Sequence, residues 1–283
     1  MTIVVKKRGR PTKEMVAARE EAVKKANVVR TDEEVLTDLK ERFRILSVLA
    51  QGTVHKNVRA VTVTGAPGVG KTYTVEQVLQ EAKEKSGIQY EIVRGSISAI
   101  GLYKMAYALR KAGSVLVLDD ADSIFNDEEA LNILKVLCDS SDVRRVSWMK
   151  ESNVLKEEDI PQSFEFNGAM IFISNLDFQT YVDEGKNKYA QHFEALMSRS
   201  LYLDLRLHNR NDLGVWVNHV ANEGKIFQRE GLTPQQGEAV LGFLKTYRQD
   251  LRELSLRTLL KTSQLVKTHD NWESIAKILL TKH

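Results

Sequence analysis

One segment of the chain has the residue types and spacing that suit the binding of a nucleotide phosphate. Residues 65–72 read Gly-Ala-Pro-Gly-Val-Gly-Lys-Thr, which fits the pattern G-x-x-x-x-G-K-[ST] between an apolar run and a helical stretch. The glycines let the backbone curl until successive N–H groups point at phosphate oxygens, helped by the positive end of the helix. Lys71 is placed to reach the β- and γ-phosphates, and the Thr72 hydroxyl to ligate Mg²⁺. The alternative is a glycine-rich turn that carries an unrelated lysine. We predict a nucleotide site made by Gly65, Ala66, Pro67, Gly68, Val69, Gly70, Lys71, Thr72 and Tyr73.

A second candidate group is a pair of carboxylates at the end of an apolar run. Residues 115–120 read Val-Leu-Val-Leu-Asp-Asp, as expected for a buried strand that ends at a Walker B position. Asp119 is placed to hold the magnesium, together with Thr72. Asp120 follows where a base could polarise the attacking water. The alternative is an ordinary strand end followed by an acidic helix cap.

Two further segments follow these along the chain. The order of all four segments resembles that of the AAA+ ATPase superfamily. Residues 171–175 (Ile-Phe-Ile-Ser-Asn) resemble sensor 1, which implies that Asn175 orients the attacking water; Ser174 is a lesser candidate. Residues 196–200 (Leu-Met-Ser-Arg-Ser) resemble the segment that carries the arginine finger of clamp loaders and their relatives. The resemblance implies that Arg199 acts on the nucleotide of a neighbouring subunit in a ring or helical oligomer. The alternatives are a solvated surface arginine at this position, or Arg206 in the same role.

The C-terminal part of the chain carries a fifth similarity to this superfamily. In residues 254–258 (Leu-Ser-Leu-Arg-Thr), Ser255 is placed to cap a helix, and Arg257 resembles the sensor 2 arginine that contacts the γ-phosphate from the lid. Arg252 stays open as the alternative. The resemblance therefore implies that Lys71, Asp119, Asp120, Asn175, Arg199 and Arg257 are the catalytic residues of an ATPase that uses ATP and Mg²⁺.

The chain departs from the family pattern at the acidic strand end. Members usually have Asp-Glu there, whereas this chain has Asp119 and Asp120. The shorter side chain of Asp120 stands one methylene further from the water. Either it still serves as the base or hydrolysis is slow, and Asp122 is a weaker substitute.

The order of elements predicts an α/β fold. Strand-like runs at 58–64, 88–94, 114–118, 169–174 and 201–205 alternate with helical stretches, which indicates a parallel sheet between two layers of helices. After residue 205 only helical patterns follow. We predict a three-layer αβα P-loop NTPase core with a C-terminal all-helical lid, divided into a basic N-terminal segment (1–30), the core (31–206) and the lid (207–283).

Charge is distributed unevenly along the chain. Residues 1–30 carry nine Lys and Arg against three acids, a net charge of +6, although the whole chain is only +3. The basic stretch resembles an AT-hook: glycine lets the backbone follow the minor groove while flanking arginines enter its negative potential. We predict contacts to A·T-rich DNA from Lys7, Arg8, Gly9, Arg10 and Pro11. The alternative is a disordered basic tail that binds polyanions without preference.

An insertion at residues 141–168 is the other candidate DNA contact. Its strand-like runs 143–149 and 163–166 indicate a β-hairpin, which some AAA+ clades use against DNA. Arg144, Arg145 and Trp148 could then supply phosphate contacts and a stacking face. The alternative, which the pattern favours slightly, is an edge hairpin with Trp148 packed inside.

Composition excludes several other classes. The longest uncharged stretches, such as 60–70 and 166–176, run eleven residues, short of the roughly 18 that a membrane helix needs. One cysteine excludes a disulfide framework, and no secretory signal is recognisable. We expect a soluble cytoplasmic or nucleoid-associated AAA+ motor acting on DNA as a loader, helicase or remodeller, with an unidentified protein partner possible. The alternatives are a protein-remodelling ring and a slow, nucleotide-gated binding protein; a metabolite kinase is disfavoured by the four AAA+ positions.

Overall fold

The predicted parallel sheet is present in the computed structural model, which describes residues 30–185, 189–205, 207 and 209–282. In chain order the described strands are β1 (Ala60–Thr64), β2 (Tyr90–Arg94), β3 (Val115–Asp119), β4 (Arg145–Ser147), β5 (Ser163–Glu165), β6 (Ala169–Ser174) and β7 (Leu201–Asp204). Five of them form a parallel sheet in the order β2-β3-β6-β1-β7, and β4 pairs with β5 in a separate antiparallel hairpin.

Helices cover both faces of this sheet. The described α-helices of the whole chain, in order, are α1 (Asp32–Val54), α2 (Lys71–Ser86), α3 (Ala99–Ala108), α4 (Glu128–Leu137), α5 (Asn153–Glu157), α6 (Phe178–Glu184), α7 (Ala190–Arg199), α8 (Arg210–Glu223), α9 (Ile226–Arg229), α10 (Pro234–Thr246), α11 (Leu256–Thr268) and α12 (Trp272–Leu280). The residues of β3 alternate between two cores: Leu116 and Leu118 pack on the side of α3 and α4, Val115 and Val117 on the side of α1 and α2. A strand buried on both faces needs apolar residues at every position, which explains the uninterrupted run. The αβα fold is thus confirmed.

Local signals set the ends of several helices. Thr31 caps α1 and exchanges hydrogen bonds with Glu34, a capping box of the kind that the spacing predicts. Gly87 ends α2 in the left-handed conformation at φ +65°, where a side chain would be strained. Asp127 caps α4 by accepting from two backbone N–H groups of its first turn.

The C-terminal region is helical, as predicted. Helices α8 to α12 share a third core, in which Val217, Phe243, Leu259 and Trp272 are buried. The helix α8 also packs on α1 of the core. The domain limits at residues 30 and 206 stay a prediction. Within the described ranges, no helix is both long and apolar enough to cross a membrane.

Two of the three side chains that the hairpin of β4 and β5 could offer to DNA are packed in the structure. Arg144 is 6% exposed and donates to the carbonyls of Leu137 and Gly168 at 2.7 and 2.6 Å, so the prediction of a phosphate contact there is wrong. Trp148 packs against Tyr103, with ring centroids 5.8 Å apart. Arg145 is exposed and paired with Glu165 at 3.1 Å. The packed alternative for Trp148 is the one that the structure shows.

Three elements of the sequence predictions lie outside the described residues. They are the AT-hook-like segment 7–11, Arg206, and a helix that the residue pattern predicts at 12–29. Each stays a prediction.

The buried cysteine gives a test of the packing between α4 and the hairpin. Cys138 is 1% exposed beside Arg144, and burial raises the pKa of its thiol to about 12. We expect a disulfide reagent at pH 8 to react with the native protein roughly a thousandfold more slowly than with the urea-unfolded chain, because the thiolate is scarce and inaccessible. Absorbance of the released thiol measures both rates. Equal rates in the native and unfolded states would contradict this packing.

Candidate functional site

The glycine-rich loop lies between β1 and α2 and has the backbone conformation that its sequence requires. Gly68 and Gly70 adopt φ values of +67° and +107°, in the left-handed region that glycine tolerates. A Cβ added at Gly68 would lie 2.8 Å from the Cβ of Ser255, so the loop also needs glycine for space. The curled backbone leads directly into Lys71, the first residue of α2. This is a cradle of the kind that binds phosphate at a helix N-terminus.

Lys71 ties this loop to the sheet. Its ammonium is almost buried, with the residue 5% exposed, and donates to the carbonyls of Gly65 and Ala66 at 2.8 and 2.9 Å. A third hydrogen bond, of 2.7 Å, goes to Oδ1 of Asn175. Burial lowers the pKa of Lys71 to about 8, while Asp120 and Asp119 act in the opposite direction. A desolvated cation of this kind gains more from a bound anion than an exposed lysine does.

The hydroxyl and carboxylate predicted to ligate magnesium are adjacent. Thr72 Oγ1 donates to Oδ1 and Oδ2 of Asp119 at 2.9 and 3.0 Å. Burial raises the pKa of Asp119, and the Thr72 hydrogen bond partly opposes this. Sequence reasoning missed Arg94, the last residue of β2, whose Nε lies 3.6 Å from Asp119 and whose Nη2 lies 2.9 Å from Glu76. Its only sequence signal is a charge at the end of a strand that neighbours β3.

Asp120 and Asn175 are also in contact. Asn175 Nδ2 donates to Oδ1 of Asp120 at 2.6 Å, while its Oδ1 accepts from Lys71, which fixes the orientation of the amide. Asp120 adopts φ +52°, a left-handed conformation that is uncommon for a residue other than glycine. The amide therefore links Lys71 and Asp120 in one chain of hydrogen bonds.

The two lesser candidates form a pair of their own. Ser174 Oγ donates to Oδ1 of Asp122 at 2.7 Å and accepts from the backbone N–H of Leu176. Burial raises the pKa of Asp122, and this serine hydrogen bond opposes the rise. Asp122 is thus held by Ser174, whereas Asp120 is held by Asn175.

The register of the sheet explains why residues so far apart in sequence meet. Asp119 on β3 lies opposite Ile173 on β6, and Thr64 on β1 lies opposite Ser174. The carboxyl ends of three neighbouring parallel strands therefore share one edge, where ligands of open α/β sheets bind.

The two candidate lid arginines are in different surroundings. Arg257 lies in the first turn of α11, capped by Ser255, and its charge lowers the pKa of Lys71. It is exposed and within electrostatic range of the loop lysine. Arg252 instead donates from Nε to the carbonyl of Thr281 at 2.9 Å, on the bridge between residues 251 and 281.

Arg199 and Tyr73 lie at the surface. Arg199 ends α7 beside the edge strand β7, with its Nε 3.5 Å from Asp139 and Nη1 donating to the carbonyl of Ala195 at 3.1 Å. Tyr73, the residue after the loop threonine, is 56% exposed. Within the described residues, neither side chain forms a hydrogen bond or ion pair with Lys71, and a position at the surface is what action on a neighbouring subunit requires of Arg199.

Comparisons with known proteins assign the family. Residues 61–155 match the model of the ATPase family associated with various cellular activities (AAA). A relative from Enterobacteria phage T4 is 36% identical over 257 residues, which cover 90% of this chain and 78% of that protein. The chain belongs to the AAA+ family of ATPases. The phage relative is described as an uncharacterized 36.7 kDa protein in the nrdC-mobD intergenic region.

Solved AAA+ structures are more distant. The Aeropyrum pernix ORC1 protein in complex with DNA is 12% identical, with a TM-score of 0.48 over 84% of this chain and 64% of that one. NtrX from Brucella abortus in complex with ATP is 13% identical, with a TM-score of 0.47 over 91% of this chain and 57% of that one. The chain thus spans less than two thirds of the length of either structure.

Membership of the AAA+ family implies that a nucleotide is bound together with a divalent metal. The residues present fit both groups. The loop provides a backbone cradle and a buried cation for phosphates, and Thr72 with Asp119 provides hard oxygen donors. Mg²⁺ is commonly bound by one or two protein oxygens that are completed by substrate phosphates.

Proposed function

We propose that this AAA+ protein binds Mg²⁺-ATP on the loop of residues 65–72 and hydrolyses it to ADP and phosphate. The observation that supports this proposal best is the hydrogen-bonded chain from Lys71 through Asn175 to Asp120. It links the residue that would bind the terminal phosphates to the residue that would act as a base. The alternative, a glycine-rich turn with an unrelated lysine, does not explain why Lys71 is buried and hydrogen-bonded to Asn175 at the end of another strand.

Each residue then has a role that its surroundings support. Lys71 and the loop N–H groups bind the phosphates, and Asn175 and Asp120 hold the attacking water, from which Asp120 accepts a proton. Thr72 and Asp119 would hold Mg²⁺, which neutralises charge on the phosphate oxygens when it is bound. Arg257, close enough to Lys71 to lower its pKa, would contact the γ-phosphate from the C-terminal helices.

Substitutions at position 120 separate binding from hydrolysis. We expect Asp120→Asn to retain Mg²⁺-ATP binding but to lower single-turnover hydrolysis by about a hundredfold or more, because the amide cannot accept the proton. Lys71→Ala, the control, should lose binding itself. Calorimetry and quenched single-turnover assays measure the two steps. Hydrolysis by Asp120→Asn at the wild-type rate would contradict the role of Asp120.

A slow, nucleotide-gated binding protein is the second candidate, favoured by the short side chain of Asp120. In the same single-turnover assay, Asp120→Glu would accelerate hydrolysis if the missing methylene limits the rate. A fall in rate with the longer acid would count against this candidate, and would show that the observed contact with Asn175 is the productive one.

We further propose that Arg199 completes the site of a neighbouring subunit in a ring or helical assembly. Its ion pair with Asp139 holds the guanidinium at the end of α7, beside the edge of the sheet. An arginine supplied in this way stabilises the charge on the transferring phosphoryl group and typically raises the rate by several orders of magnitude.

Mixing two inactive variants tests this arrangement. Arg199→Ala has an intact pocket but lacks the arginine, whereas Asp120→Asn lacks the base but can donate Arg199 to its neighbour. We expect each variant alone to bind ATP with turnover reduced about a hundredfold or more, and the mixture to recover part of the wild-type ATPase rate. A mixture no more active than its components would contradict action in trans.

DNA is the substrate that we propose for the motor, as a loader, helicase or remodeller. The support is the charge of residues 1–30, +6 in a chain of +3, together with the AT-hook-like run at 7–11. The hairpin of β4 and β5 gives no further support for DNA binding, because Arg144 and Trp148 are packed. A protein-remodelling ring, with the basic segment as a tether, is the competing function.

Removal of the basic segment tests the choice of substrate. We expect A·T-rich duplex to stimulate the ATPase of the full chain more than G·C-rich duplex, and a chain that lacks residues 1–13 to lose most of this difference. Titrations of steady-state ATPase with each duplex, at one fixed salt concentration, measure the effect. Stimulation by an unfolded polypeptide alone would instead favour the protein-remodelling function.

A further inference from the structure

The orientation of the loop backbone depends on where its carbonyl groups are held. In a trans peptide the C=O of one residue and the N–H of the next point in opposite directions. A loop that directs N–H groups at a phosphate therefore needs hydrogen-bond donors for its carbonyls on the other side. Lys71 supplies them for Gly65 and Ala66, and Thr74 supplies them for Gly70 through its backbone N–H at 2.9 Å.

Two further loop carbonyls, those of Gly68 and Val69, accept hydrogen bonds from donors in the C-terminal helices. The backbone N–H of Leu256, the first residue of α11, donates to the carbonyl of Gly68 at 2.9 Å. The indole Nε1 of Trp216, on α8, donates to the carbonyl of Val69 at 2.9 Å. These contacts fix the peptides that carry the N–H groups of Val69 and Gly70.

Trp216 is itself held firmly. Its ring stacks on Phe43 of α1, with centroids 4.2 Å apart and planes at 12°, and the residue is only 6% exposed. The first turn of α8 is fastened nearby, since Arg30 pairs with both Asp212 of α8 and Asp38 of α1. The indole N–H is therefore presented to the loop by a helix that is bound to the core at two points.

We propose that Trp216 is a positioning residue of the nucleotide site, through which the placement of α8 sets phosphate affinity. The indole keeps the Val69 carbonyl outside the loop and so keeps the Gly70 N–H inside it. Displacement of α8 removes this donor and frees the peptide to rotate. The proposal rests on the proposed function, because it concerns the same phosphate site.

Trp216→Phe in the full chain removes the N–H and keeps an aromatic ring against Phe43. We expect it to weaken the binding of Mg²⁺-ATP about tenfold, which is the effect of one unpaired buried carbonyl. Inorganic tripolyphosphate, which has no base or sugar, should lose affinity by the same factor. The KM for ATP should rise about tenfold with kcat within about threefold, because the residues on β3 and β6 are untouched.

Trp272→Phe is the matched control. Trp272 is a buried tryptophan of the same helical region, 5.7 Å from Phe243, that has no contact with the loop in the structure. We expect this variant to bind Mg²⁺-ATP within about twofold of wild type even where thermal unfolding shows a lower Tm.

The outcomes separate the two proposals. Unchanged affinity in Trp216→Phe, or losses of affinity that follow the loss of Tm equally in both variants, would overturn the positioning role while leaving the ATPase intact. A wild-type chain without affinity for Mg²⁺-ATP would contradict the proposed function and this inference with it. A tenfold loss confined to Trp216→Phe supports the inference.

Discussion

A buried ammonium needs hydrogen-bond acceptors for its protons, and the ammonium of Lys71 has three of them. The cost of removing a charge from water is offset only if the buried group is fully hydrogen-bonded. Gly65 and Ala66 provide two backbone oxygens, and Asn175 provides the third. The loop, the start of α2 and the end of β6 are thereby fixed to one another. In the proposed function, a phosphate bound by this lysine would compete with Asn175, which would couple nucleotide binding to the hydrogen-bond partner of Asp120.

The parallel sheet brings these groups within reach of one another. Lys71, Asp119 and Asn175 each follow or end a different strand, and the order β3-β6-β1 places those strands side by side. Because all three run in the same direction, their carboxyl ends meet at one edge. In β3 and β6 the apolar run is continuous, so the polar side chains of these two strands come only where each strand ends.

Sequence reasoning succeeded where the signal is local. The loop motif, the capping box at Thr31 and Glu34 and the apolar strand before Asp119 all depend on residues within one element. Those features were confirmed by the structure, although the roles of the site residues stay proposals. The proximity of Asn175 and Asp120 could also be predicted, because the carboxyl ends of neighbouring parallel strands lie at the same edge of a sheet.

Contacts between distant segments could not be predicted from a single sequence. Arg144 was a candidate for a phosphate contact because it lies at the predicted hairpin, yet its guanidinium donates to the carbonyls of Leu137 and Gly168. Arg94 carries no motif, and its contact with Asp119 follows only from the neighbouring position of β2 and β3. Trp216 has the spacing of an ordinary core residue on α8, and nothing local indicates that its N–H is directed at a loop 147 residues earlier.

The contacts of Trp216 and Leu256 change how the division into core and lid should be understood. The sequence divides the chain at about residue 206, which assigns the phosphate loop to the first part and both donors to the second. A core without the C-terminal helices would leave the carbonyls of Gly68 and Val69 without the partners that they have in the structure. Water would then replace these two fixed donors, and nothing in such a fragment would hold the two peptides in the orientation that they have in the whole chain. The proposed phosphate site therefore depends on the whole chain, and the C-terminal helices form part of it.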